Sequence, residues 1–135
     1  KPTLTSLYGF GSKNQITTGT NNVGTIHAIS GETGKTIWKY GQRAATQSLV
    51  ATGGRLLFGG DAQGRFRAFD QDSGKLLWEV NLGSQVTGYP ISYSVGGKQY
   101  IAVSTGGSLA TGGTMALTPE LRSGTANNLF VFALP

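Results

Sequence analysis

The side chains able to do acid–base, nucleophilic or metal chemistry are few in this chain, and their spacing assigns most of them other work. Asp61, Asp70, Asp72 and Glu32 are the carboxylates near enough in sequence to suggest a cation site, but each falls in or beside a Gly-containing polar cluster, where a short carboxylate caps backbone amides. His27 is the sole histidine and lies between Ile26 and Ala28 in an apolar alternation, so it has no partner for a metal. Ser48, Ser84 and Ser104 lack the G-x-S-x-G elbow of a serine hydrolase. Cysteine is absent, which excludes disulfides, thiol catalysis and thiolate metal sites. The runs GTNNVG (19–24) and GGSLATGGT (106–114) space glycines closely, yet no helix pattern succeeds either, so neither cradles a phosphate. Lys35 and Lys75 recur at one turn position, which marks them as solvated structural residues.

The elements that hold these residues are written twice. TIHAISGETGKTIWKY (25–40) superimposes on residues 65–80 at an offset of 40, placing Ala28 on Ala68, Gly34 on Gly74, Lys35 on Lys75 and Trp38 on Trp78. In each copy an alternating apolar stretch, a polar cluster with Gly, and a second apolar stretch ending in Trp read as a β-hairpin. Asp70 is placed to bond the backbone two residues on, and Gly74 to take a positive φ. A period of about 40 made of strands alone predicts a β-propeller blade of four antiparallel strands, with each Trp packed between one blade and the next.

Composition agrees and narrows the function. Glycine is 22 of 135 residues, more than twice the usual share of about 7%, as a sheet protein with frequent turns requires. Charged residues make up 13%, and the net charge of +5 comes from 11 Lys and Arg without a basic run or an aromatic platform, which argues against nucleic-acid binding. No apolar run approaches the ~18 residues of a membrane span.

In order, residues 1–22 read as an irregular connection, and 23–135 as about three blades. Residues 23–40 form the outer half of one blade. A full blade occupies 47–81, with strands at 47–52, 55–59, 65–70 and 75–81. A last blade covers 86–135, with strands at 86–95, 99–104 and 128–134, and a Gly/Thr/Ser-rich insertion at 105–127 expected to be a surface excursion near one mouth of the ring. Stopping after three strands is how the closing blade of a ring behaves, because a strand from elsewhere completes it and covers its edge. The start at Lys1 without Met suggests a cut end.

The repeated AISGETGKTIW (28–38) and AFDQDSGKLLW (68–78) resemble the tryptophan-docking motif of the quinoprotein alcohol dehydrogenases, eight-bladed propellers carrying pyrroloquinoline quinone (PQQ). Ser30 stands where Asp or Asn is usual. Residues 49–107 are similar to the last full blade and blade junction of those enzymes, and NNLFVFALP resembles their C-terminal strand, so the likeness runs from Val23 on. It implies the C-terminal part of an eight-bladed, all-β ring in a periplasmic enzyme that oxidises an alcohol. Electrons would pass through PQQ, assisted by a calcium or lanthanide ion, to a cytochrome-type acceptor.

Most of that machinery belongs to earlier blades of the family: the carboxylate base, the Glu/Asn/Asp metal ligands, the ring-stacking Trp and a vicinal disulfide. No catalytic residue and no metal ligand is therefore expected here, and the remainder of the propeller or a companion chain is the expected partner. Where the family often has Asn-Trp and Trp-Gly at strand ends, this chain reads Arg43-Ala44-Ala45-Thr46-Gln47 and Thr105-Gly106-Gly107. Thr46, Gln47 and Thr105 are the candidate cofactor contacts. The alternative is a non-catalytic propeller of the same repeat superfamily, a scaffold binding partner proteins in the bacterial envelope.

Overall fold

A computed structural model describes residues 16, 18–108 and 112–133. Most of the connection expected at residues 1–22 lies outside the described residues. Among the described residues nine strands form three antiparallel sheets. The first pairs β1 (Gly24–Ile29) with β2 (Thr36–Gln42). The second runs in order through β3 (Thr46–Ala51), β4 (Leu56–Asp61), β5 (Arg65–Asp70) and β6 (Leu76–Asn81). The third joins β7 (Ile91–Val95), β8 (Lys98–Thr105) and β9 (Asn128–Ala133). One helical turn, α1 (Gly112–Met115), interrupts the stretch between β8 and β9. These are propeller blades, each meandering antiparallel from strand to strand.

The repeat is legible in the register. Ala28 pairs with Trp38 and Ala68 with Trp78, and in both hairpins the pairing shifts immediately after the Ala. Both turns close alike: Gly34 N–H donates to Ser30 O and Gly74 N–H to Asp70 O, each at 2.9 Å, with Gly φ values of 68° and 69°. A residue that closes this turn must accept the left-handed backbone, which glycine does without steric cost. The equivalence extends past the hairpins into the connections. A Cβ on Gly24 would meet Ala44 O at 2.2 Å, and one on Gly64 would meet Ser84 O at 2.8 Å.

Blades meet face to face. Trp38 leaves the first sheet to lie on the β5–β6 turn, where its indole N–H donates to Gln71 O at 2.9 Å, and Tyr40 packs edge-on against Phe69 at 4.8 Å. One blade on, Trp78 lies edge-on to Phe132 of β9 at 5.2 Å, reaching the next sheet through a strand rather than a turn, and is 39% exposed. The main core lies at this second seam: Phe58, Phe66 and Ala68 of the second sheet close on Ile101 and Val103 of the third and on Val86 of the connection. Gly60 makes room there, since a Cβ on it would stand 2.2 Å from Val86 Cγ1.

Two expectations need correction. Strand β7 starts at Ile91, not near Val86: Val86 N–H turns aside to Asp61 O of β4 (3.1 Å), and the run returns to β8 through Gly88 N–H to Ser104 O (3.2 Å) before the regular ladder begins. Thr105 belongs to β8, and from residue 114 to 127 the segment before β9 runs over the surface but is tied to its neighbours. Gly124 bridges in parallel to Ser84, Ser123 donates to Ala62 O at 2.8 Å, and Arg43 reaches Glu120 at 2.6 Å and Leu117 O at 2.8 Å. The segment is a strap across both connections.

Candidate functional site

Strand β3 is the first strand of its sheet, and only β4 pairs with it among the described residues. Ser48 of β3 donates to Gly88 O at 2.8 Å, so β3 and the run into β7, each at the first edge of its sheet, stand side by side as one wall. The end of that wall where β3 begins also gathers the β4–β5 turn, the 82–90 connection and the strap.

The residues that the sequence puts forward all lie at this end. Thr46 opens β3, half-buried, and its Oγ1 accepts from Gln42 Nε2 at 2.9 Å. Gln47 is the extra residue of a bulge, because Thr46 pairs with Asp61 and Ser48 with Gly60; its amide makes one long bond of 3.5 Å to Ala45 O. Bulges at the rims of sheets re-aim side chains, and they concentrate beside active sites. Thr105 is buried and donates to Ala126 O at 3.0 Å, so its hydroxyl proton is committed to the strap. Thr46 and Gln47 therefore share the start of β3, while the Thr105 hydroxyl is turned to the strap.

Beneath Thr46 lies a charged network that local spacing does not reveal. Arg67 Nη1 donates to Asp61 Oδ2 at 2.7 Å and to Gln42 Oε1 at 2.8 Å, and its Nε donates to Glu79 Oε2 at 2.5 Å. Glu79 also receives Arg65. Burial opposes the charge on Arg67, but Asp61 and Glu79 outweigh it and hold the guanidinium above its ordinary pKa. Burial likewise works against the Glu79 carboxylate, and Arg67 and Arg65 overcome it, leaving the group below the usual range. Asp61 does turn chemistry as its position predicts, its Oδ1 accepting from Gln63 N at 2.9 Å and Arg65 N at 3.0 Å, while Oδ2 faces Arg67.

His27 is exposed on β1, and Asp70 caps the β5–β6 turn through Ser73, whose hydroxyl and amide hold the carboxyl below its usual range. Among the described residues no group of three or more His, Cys, Asp or Glu is placed to hold a metal ion. No helix among them is long and apolar enough to cross a membrane.

Residues 20–101 match the family model for the PQQ-type glucose/ethanol/alcohol dehydrogenase beta-propeller domain. The chain belongs to that family. It is 37% identical over 120 residues to the quinoprotein alcohol dehydrogenase PedE of Pseudomonas putida, a match covering 85% of this chain and 19% of PedE. It is 33% identical over 119 residues to a 1-butanol dehydrogenase (quinone) of Thauera butanivorans, with the same coverage. Among solved structures, a europium-containing methanol dehydrogenase superimposes with a TM-score of 0.74 at 29% identity, covering 86% of this chain and 24% of that one. The chain thus spans about a fifth of the length of the curated relatives it matches.

The PQQ family's quinone can be tested against the residues present. A polyanionic, carbonyl-rich ligand needs hydrogen-bond donors, and the Thr46 hydroxyl and Gln47 amide at the start of β3 are groups of that kind. The metal ion does not fit: of the two carboxylates in the network beneath this edge, Asp61 has both oxygens engaged by backbone amides and Arg67, and Glu79 has both engaged by Arg65 and Arg67.

Proposed function

We propose that this chain supplies consecutive propeller blades of a periplasmic PQQ-dependent dehydrogenase that oxidises alcohols and passes electrons to a cytochrome-type acceptor. What carries the reading is the extent of the likeness to a quinoprotein alcohol dehydrogenase. At 120 residues it must run through both blade-to-blade connections, which a shared blade repeat alone would not produce.

PQQ, when bound, supplies the acceptor for the hydride that leaves the alcohol carbon. The residues of this chain position and enclose. Thr46 and Gln47 would contact the quinone from the start of β3, and Thr105 holds the strap through Ala126. Trp38 and Trp78 perform the docking that their motif names, fastening each blade to the next. The calcium or lanthanide ion and the base that takes the hydroxyl proton belong to the remainder of the propeller.

The test is to purify the chain with whatever it associates with from its source and add PQQ with calcium or a lanthanide. Alcohol-dependent reduction of an artificial dye is then monitored. Quinone-dependent turnover of primary alcohols is the expected result. A preparation that binds no quinone with either ion overturns the proposal.

A further inference from the structure

Gln42 and Thr46 touch across the first seam, and the chemistry of their neighbours fixes which atom does what. A guanidinium only donates, so the Gln42 atom 2.8 Å from Arg67 Nη1 is the carbonyl Oε1. The amide NH2 then faces Thr46 and donates to Oγ1 at 2.9 Å. With its oxygen accepting there, Thr46 must direct its own proton elsewhere, and it meets no acceptor among the described residues. Arg67 is itself held by Asp61 and Glu79, so the order runs from two carboxylates through a buried cation and an amide to one hydroxyl.

Blade packing does not require this arrangement. At the offset of 40, Leu82 stands where Gln42 does and Val86 where Thr46 does, and the side chain of the buried Val86 packs into the apolar core of the second seam. Buried ionic networks are in general no more stabilising than well-packed apolar groups of similar volume. The polar version is found where a strand edge is open and a bulge re-aims the chain at Gln47.

We propose that Gln42 is a positioning residue for Thr46, holding its hydroxyl as an obligate donor toward a carboxylate or carbonyl oxygen of the quinone. This rests on the PQQ reading above. It separates the two threonines: Thr46 offers a free proton, whereas Thr105 has spent its own on Ala126.

The experiment measures PQQ affinity in the assembled enzyme containing this chain, stripped of quinone and titrated in calcium or a lanthanide. Thr46→Val should raise Kd about tenfold, the size of one hydrogen bond to a charged acceptor, and Thr46→Ser should stay within about twofold. Gln42→Leu, which installs the residue of the next repeat, should weaken binding severalfold when Thr46 is present and leave it unchanged when Val is at 46. Equal weakening by Gln42→Leu in both backgrounds, or wild-type affinity in Thr46→Val, overturns the proposal while leaving the PQQ reading intact. A wild-type enzyme that binds no PQQ overturns both.

Discussion

Gly74 and Gly34 occupy one position of the repeat with φ values of 69° and 68°, yet their surroundings differ. A Cβ built on Gly74 would lie 2.6 Å from Cδ2 and Cε3 of the Trp38 indole, whereas one on Gly34 meets nothing within 4 Å among the described residues. Gly74→Ala therefore carries two costs. The left-handed backbone contributes about 1–2 kcal/mol for any residue with a Cβ. Forcing a methyl into the face of a ring adds about 1–3 kcal/mol, and the ring cannot simply slide away because its N–H is fixed to Gln71 O at 2.9 Å. Together they predict a loss of about 2–5 kcal/mol, read by urea unfolding of the purified protein. The second cost disappears if the ring is removed: in a Trp38→Ala background Gly74→Ala should cost only about 1–2 kcal/mol. A Gly74→Ala penalty that is the same with and without the indole would refute the claim that Trp38 seats on this turn. Gly34→Ala is the internal standard, expected at about 1–2 kcal/mol unless a neighbouring blade covers that glycine as Trp38 covers Gly74.

Asp61→Asn should destabilise by about 3–5 kcal/mol in the same unfolding assay, because it leaves the buried Arg67 short of its more deeply buried counter-charge. Glu79→Gln should cost stability at neutral pH, and the difference from wild type should vanish in acid. The folded carboxylate's pKa lies below its unfolded value, so its contribution is fully present above the unfolded value and lost as pH falls through the folded one; unfolding curves across that acid range check this. Gly60→Ala should cost about 1–3 kcal/mol by collision with Val86, and combining it with Val86→Ala should cost less than the sum of the two, which a double-mutant cycle measures.

The hairpins were legible because their determinants are local. Turn glycines, the Asp70 cap and the alternation around Ala28 and Ala68 all act within a dozen residues, so the repeat carries them intact and the register comes with them. The two connections to the first and second blades were only half legible. Asp61 looked like turn chemistry, and one of its oxygens does that work; the other serves Arg67, six residues away across a strand pair, and local spacing has no signature for such a partner. Arg67 itself sits between Phe66 and Ala68 in a strand buried on both faces, and its counterpart in the first copy, His27, is exposed. A charge in so apolar a setting was the one available signal that a counter-charge had to be near.

The strap shows the same dependence on distant partners. Its Gly/Thr/Ser composition predicts a surface excursion, since such residues bury little apolar surface, but says nothing of what it is tied to. What pins it is a set of single polar contacts, Arg43 to Glu120 across 77 positions and Ser123 to Ala62 across 61, and neither pair stands out in the sequence. Extending the offset of 40 beyond the hairpins carries more information. It sets Gln42 against Leu82 and Thr46 against Val86, a polar pair facing an apolar pair at equivalent places in two seams. Apolar packing suffices at these places in the second seam, so the polar pair in the first is what a demand from outside the fold would leave. The hydroxyl at the start of β3 is where such a demand would act.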